Sequence, residues 1–237
     1  MSDDWKILTD TNPRLLRGGN EIEVGQPHSW TRPLTDELTG ELPVFTGLLA
    51  SAEVTDVTVD GQSHELLGWG PEQSQSRRLW LCPSPPTDVP ERLPAVQAAL
   101  FGVFGGIGIT ANGPEEGAGG EDARLLNSTG ALTAALARSP IFRDSVDDYR
   151  WIWEDDGLDV PIDPDDYVTI DREANGNLTV AHRETGAVLL FLPDHARGDV
   201  EVLDGCPEMS LYTAAETPDL TTWIETLAAE WSGDAEA

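Results

Sequence analysis

The sequence predicts an α+β protein, a central antiparallel β-sheet flanked by helices and preceded by a β-rich N-terminal extension. Three observations carry that expectation. Residues 165–192, DDYVTIDREANGNLTVAHRETGAVLLFL, are cut by two turn signals into three pieces of strand length. Glu53–Val59 alternates apolar and polar side chains, Asp60-Gly61 is a turn dipeptide, and Glu65–Trp69 returns as a second strand. Near the C-terminus, Leu220, Trp223, Ile224, Leu227 and Trp231 fall on one helical stripe.

Taken in order, residues 1–43 are punctuated by Asn12-Pro13, Gly18-Gly19, Gln26-Pro27 and Arg32-Pro33 and read as an irregular lead-in. Only Thr35-Asp36-Glu37-Leu38 looks able to open a short turn of helix. From Val44 the pattern turns to β. Glu53–Val59, Glu65–Trp69 and Arg78–Cys82 read as strands of a small sheet or ribbon. Pro83–Pro90 holds four prolines in eight positions, which forbids regular hydrogen bonding and makes a stiff connector. The expected division is therefore 1–89, an irregular and β-rich extension, and 90–237, an α+β domain.

After the connector, Glu91–Phe101 has helical spacing with Pro94 near its first turn, and Gly102 marks its end. Gly113–Gly120 is too rich in glycine and acid to bury apolar area and reads as an exposed loop. Leu125–Arg138 reads as a second helix. Ile141, Phe142, Tyr149, Trp151, Ile152 and Trp153 form an aromatic cluster. In the 165–192 run, Tyr167–Ile170 are β-branched or aromatic, and Asn175-Gly176 suits a tight hairpin. Glu184-Thr185-Gly186 makes the next turn. Ala187–Leu192, wholly apolar, is expected to be covered on both faces. The product is a three-stranded meander, and Thr217-Pro218-Asp219 is a good start for the terminal helix.

Composition narrows the function. The 237 residues are 39% hydrophobic, enough for a proper core. Acidic residues number 43 against 14 basic, a net charge of −29, and Lys6 is the only lysine. Such a field repels phosphate backbones and anionic lipid, which argues against nucleic acid and membrane surfaces, and it draws in basic partners. An acidic, lysine-poor surface is also a general habit of high-salt or high-GC microbes. No apolar run approaches the roughly 20 residues that cross a bilayer. The opening MSDDWKILTD lacks a basic segment followed by an apolar one, so a cytoplasmic protein is expected. Cys82 and Cys206 are isolated and expected to remain thiols.

No motif reaches the specificity of a catalytic signature. Gly106–Ala111 fits GxGxxA but lacks a strand before it and a helix after it. Asp171, Glu173, Asn175 and Gly176 resemble the start of a calcium loop, yet His182 stands where a bidentate Glu is required, and a hairpin explains all four. His28, His64, His182 and His195 are scattered. No catalytic, cofactor or metal residue is therefore assigned. The stretch 154–166 contains seven acids, which read as a solvated acidic loop, as a carboxylate pair for hydrolysis, or as a docking edge. A hydrolase would draw on Asp165, Asp166 and Asp194. As a docking edge, Trp151 and Trp153 supply apolar anchors, and Glu154, Asp155, Asp156, Asp163, Asp165 and Asp166 supply charge for a basic protein partner.

The order of elements carries one further reading. Leu93-Pro94 before a helix, Gly105-Gly106 after it, the Gly176-Asn177 hairpin, Gly186 and Val188, Asp194, and a terminal helix with Leu220 and Leu227 together resemble the SUKH superfamily, the Smi/Knr-type domain, over residues 90–231. Phe104 replaces the polar residue common before the Gly-Gly, and the loop after Gly106 is long. The resemblance implies an α+β domain with a central antiparallel sheet. It also implies a non-catalytic immunity protein that occludes a toxin, usually a nuclease or deaminase. Eukaryotic members imply the alternative of an intracellular scaffold or regulatory module.

Overall fold

The computed structural model describes residues 3–13, 20–71, 76–114, 124–125, 127–194 and 200–233. Most of the loop expected at Gly113–Gly120, together with His195, lies outside the described residues. The chain is α+β as expected, with two antiparallel six-stranded sheets.

The first sheet is built from β1 (Ile22–Val24), β2 (His28–Ser29), β3 (Glu53–Val59), β4 (Gln62–Trp69), β5 (Arg78–Pro83) and β6 (Ile109–Ala111), in the order β1-β3-β4-β5-β6, with β2 also on β3. The Asp60-Gly61 turn joins β3 to β4 with both residues at positive φ, 50° and 77°. Because β6 lies beyond the proline-rich connector, residues on both sides of position 90 contribute to one sheet.

The second sheet is built from β7 (Ser128–Ala131), β8 (Tyr167–Glu173), β9 (Leu178–His182), β10 (Val188–Phe191), β11 (Val200–Val202) and β12 (Leu211–Ala214), in the order β11-β12-β10-β9-β8-β7. Its centre is the expected meander. At the first hairpin only Gly176 takes positive φ, 98°. Asn175 instead accepts the Asn177 N–H on its side-chain oxygen, at 3.1 Å. The apolar strand β10 is covered on both sides. Leu189 and Phe191 pack on the outer face, whereas Val188 joins the central core.

Eight helices complete the described chain: α1 (Asp3–Thr11), α2 (Asp36–Glu41), α3 (Pro43–Ser51), α4 (Ala95–Leu100), α5 (Ala134–Arg138), α6 (Ile141–Asp148), α7 (Trp151–Asp155) and α8 (Leu220–Ser232). The lead-in is therefore partly regular. Trp5 and Leu8 of α1, three positions apart, bury against Val57, Leu66 and Leu79 on one face of the first sheet. Thr35 caps α2 by accepting the Leu38 N–H. Val44 does not begin a β region. It lies in α3, which starts with Pro43 at its first position and has its exposed Val44 and Phe45 N–H groups bonded by the Glu225 carboxylate of α8, at 3.0 and 2.9 Å.

The helix expected at Leu125–Arg138 is instead β7 followed by the short α5. Ala131 and Ile107 exchange N–H···O bonds of 2.7 and 2.8 Å, and Leu132 sits at φ 54°, which no helix interior accommodates. Helical propensity of the alanines there yields to the ladder with β8.

The faces of the two sheets share one core. Val54, Leu67, Trp69 and Trp80 from the first meet Val168, Ile170 and Val188 from the second, with residues of α2, α3, α4 and α8 between them. Trp80 is its hub, with ring centroids 4.8 Å from Trp69 and 5.1 Å from Trp231. The α8 stripe is buried as its spacing predicts. Asp219 caps its start, and Arg78 donates to the Glu230 and Trp231 carbonyls at its end.

At Gly105-Gly106, on the way from α4 to β6, the chain threads between backbone of the first sheet and backbone that follows β7 of the second. A Cβ at Gly105 would stand 1.9 Å from the Pro83 carbonyl oxygen, and one at Gly106 (φ 96°) would stand 2.5 Å from that of Leu132. By contrast, nothing lies within 4 Å of a Cβ at Gly47, in the interior of α3. Gly105→Ala is expected to lower unfolding free energy by about 3 kcal/mol through backbone displacement, whereas Gly47→Ala should raise it by about 0.5–1 kcal/mol. Urea denaturation of both variants checks the contrast.

Candidate functional site

The outer face of the second sheet is covered by α6, α7 and the chain that follows them. Phe142 and Val146 of α6 and Trp153 of α7 bury against Leu178, Val180, Leu189, Phe191 and Leu211. Two positions along a helix turn a side chain through about 200°, so residues i and i+2 face opposite ways. Trp153 therefore points in and Trp151 out. Trp151 is 55% exposed, whereas Trp153 is 0% exposed. Trp153 is thus a core residue that fastens α7 to the sheet, and the expectation that it anchors a partner is corrected. Sequence alone treats the two tryptophans alike, because the helix that separates them is only five residues long.

Around Trp151 the surface is both apolar and acidic. Tyr149 and Leu158 are also exposed, and Tyr149 keeps one edge on Phe191, ring centroids 5.7 Å apart. Glu154, Asp155, Asp156 and Asp159 are exposed beside them. The local field registers on Arg150, whose guanidinium pKa is raised by its hydrogen bond to Asp147 and by the charges of Glu154 and Asp159.

The remaining acids of the expected docking edge are committed within the chain. Asp163 accepts the Asp165 N–H at 3.0 Å and caps a one-turn 3-10 helix, Pro164–Asp166. Asp165 forms an ion pair with Arg143 of α6, and Asp166 one of 3.3 Å with Arg92. These carboxylates brace the entry to β8. Asp194, the third acid of the hydrolase reading, is exposed beyond β10. Asp171 and Glu173 of the calcium-like pattern lie within β8, buried, and Glu173 accepts from the Asn177 side chain at 3.1 Å. Gly106–Ala111 leads into β6 rather than a helix. Cys82 and Cys206 are free thiols whose pKa burial raises.

Two grooves escape sequence reasoning. The larger, about 800 Å³, lies between α3, the end of β4 and the end of α8, and is lined by Val44, Leu48, Trp69, Arg77 and Trp231 among others. Arg77, only 4% exposed, holds Asp4 through two nitrogens (3.0 and 2.7 Å), reaches Glu53 at 3.0 Å and donates to the Gly70 carbonyl. The ion pair ties α1 to the first sheet, and it fits because Gly68 has no Cβ: one there would lie 2.5 Å from Asp4 Oδ2. The smaller groove, about 480 Å³, gathers Arg92, Arg138 and Arg183 with Asp88, Glu91 and Asp165. These arginines come from three separate stretches of the sequence, and no spacing signals their meeting.

No protein-family model, curated protein or solved structure matches this chain. Among the described residues no helix is long and apolar enough to cross a membrane.

The two tryptophans of α7 should separate cleanly in experiment. Trp153→Ala is expected to cost about 3–5 kcal/mol of stability, as for a large aromatic removed from a core. Trp151→Ala should stay within about 0.5 kcal/mol of the parent. Chemical denaturation followed by circular dichroism measures both.

Proposed function

We propose that this chain is a non-catalytic binding protein of immunity type, which neutralises a basic, nucleic-acid-targeting toxin by docking through the ridge at α7. The observation that carries the reading is Trp151, a large aromatic side chain 55% exposed on a helix whose neighbours Glu154, Asp155 and Asp156 are exposed carboxylates. Aromatic anchors that insert into a partner pocket dominate binding energy, and flanking charges set approach and orientation. Tyr149 and Leu158 extend the apolar area around the anchor.

The charge balance of −29 supports the same reading. A nuclease or deaminase domain needs a basic cleft for phosphates, and an acidic ridge competes with those phosphates for the same arginines and lysines. The ordered motifs that resemble the SUKH superfamily add a family-level reason to expect this role. The docking residues in this proposal are Trp151, Glu154, Asp155 and Asp156, since Asp163, Asp165 and Asp166 are engaged within the chain.

The test is protection. Co-expression with a toxin domain encoded beside this chain should restore growth, and Trp151→Ala should weaken the purified complex by at least about 2 kcal/mol, roughly 30-fold. Replacing Glu154, Asp155 and Asp156 by their amides should mainly slow association and flatten its dependence on salt. Absence of protection, with capture of a housekeeping protein by the same ridge, would transfer the reading to a scaffold or regulatory module.

A further inference from the structure

The smaller groove suggests a second binding site, since it gathers three arginines against three acids in a chain where acids outnumber basic residues 43 to 14. Its walls come from the connector at residues 88–92, the end of α5 and the turn after β9. Arg138 donates to the Asp88 carbonyl and lies 3.3 Å from the Asp88 carboxylate, whose side chain is 93% exposed and free to swing into water. Arg92 is 3.3 Å from Asp166. Arg183 is held differently. It donates to two main-chain carbonyls, that of Asp165 at 2.9 Å and that of Arg92 at 3.0 Å. Its hydrogen bonds thus go to carbonyl dipoles, while the Asp166 carboxylate acts on it through its charge alone.

Further features mark the spot. Arg92 sits at φ 54°, a left-handed conformation that costs a non-glycine residue free energy and persists only where surroundings enforce it. The Arg183 bond to its carbonyl is one such restraint. Burial first, and then the nearby charge of Arg92, lowers the pKa of the Arg183 guanidinium, and the Asp166 carboxylate offsets part of that. Asp165 is already paired with Arg143, so the acids that an anion must displace or avoid are Asp88 on Arg138, Asp166 on Arg92 and Glu91 in the wall.

We propose that the cleft between Arg92, Arg138 and Arg183 binds a phosphate-bearing small molecule. Three guanidinium groups from separate elements suit a dianion with several oxygens better than a carboxylate, which one planar fork satisfies. A monoanion also offers little that Asp88 does not already supply. The volume of about 480 Å³ lies within the roughly 300–1,000 Å³ of ordinary ligand pockets and leaves room for an organic remainder. Because the whole molecule carries −29, attraction must be local, and binding must depend on these three side chains.

Titration calorimetry and thermal unfolding of the full chain test the site, with inorganic phosphate, glycerol 2-phosphate, acetate and chloride compared at equal ionic strength. Phosphate and its monoester should bind saturably and raise Tm, and acetate and chloride should not. Tighter binding of the monoester identifies a phosphorylated organic ligand, and equal or weaker binding identifies free phosphate. Arg138→Gln and Arg183→Lys should each weaken binding about tenfold, while Arg150→Gln, on an arginine outside the cleft, should leave it unchanged. Arg138 is half exposed, so its variant keeps the test valid should the Arg183 variant fold poorly. Stabilisation by acetate or chloride equal to that by phosphate, or equal loss in all three variants, would overturn the proposal.

Discussion

The architecture depends on a crossing of bare backbone. At Gly105-Gly106 the chain passes between the Pro83 and Leu132 carbonyls at distances that leave no volume for a side chain. Immediately after it, Ile107 exchanges hydrogen bonds with Ala131 of the second sheet, and Gly108 donates to Leu81 of the first. Two consecutive positions thus satisfy both ladders. Since a buried main-chain group without a partner costs about 1–3 kcal/mol, moving the crossing would orphan several groups at once. The two sheets are fixed relative to each other by hydrogen bonding as well as by the side chains they share.

That fixed spacing sets what the helices do. The space between the sheets is filled by α3, α4 and α8 around Trp80, and α8 is tied at two points: Glu225 in its middle bonds the start of α3, and Arg78 closes its last turn. Helices α6 and α7 have no such enclosure, since they cover only the outer face of the second sheet. Their anchoring rests on Phe142, Val146 and Trp153. A five-residue helix is too short to be stable alone, so the buried tryptophan holds the exposed one in place. A side chain displayed from a pre-ordered helix loses less freedom on binding than one on a loose loop.

The parts legible in sequence were those whose signal is local. Alternation with Asp60-Gly61 gave β3 and β4, Gly176 and Gly186 bounded the strands of the meander, and the Asp219 cap with its apolar stripe gave α8. What was not legible depends on distant partners. The start of α3 is capped by a residue 180 positions away, and β7 exists because Ile107 and β8 pair with it. The acidic stretch 154–166 shows the same division at the candidate site. Its composition marked the region, but only tertiary contacts separate the displayed Glu154, Asp155 and Asp156 from Asp165 and Asp166, which answer to Arg143 and Arg92.

The placement of arginine sets the charge that this acidic chain turns to water beside Trp151. Many of its arginines serve inside: Arg77 is buried on Asp4, Arg78 closes α8, Arg124 meets Glu230 and Arg32 meets Glu65. The charge left facing water is dominated by carboxylates, and those beside Trp151 carry the same sign on every copy. Two molecules that approach ridge to ridge therefore repel before their tryptophans touch, by Coulomb energies that grow as the separation falls below about 10 Å at moderate salt. A partner of opposite sign meets the reverse, attraction at long range and an apolar anchor at contact. Discrimination of this kind needs the repulsive element as much as the attractive one, and in the proposed docking one set of carboxylates would supply both.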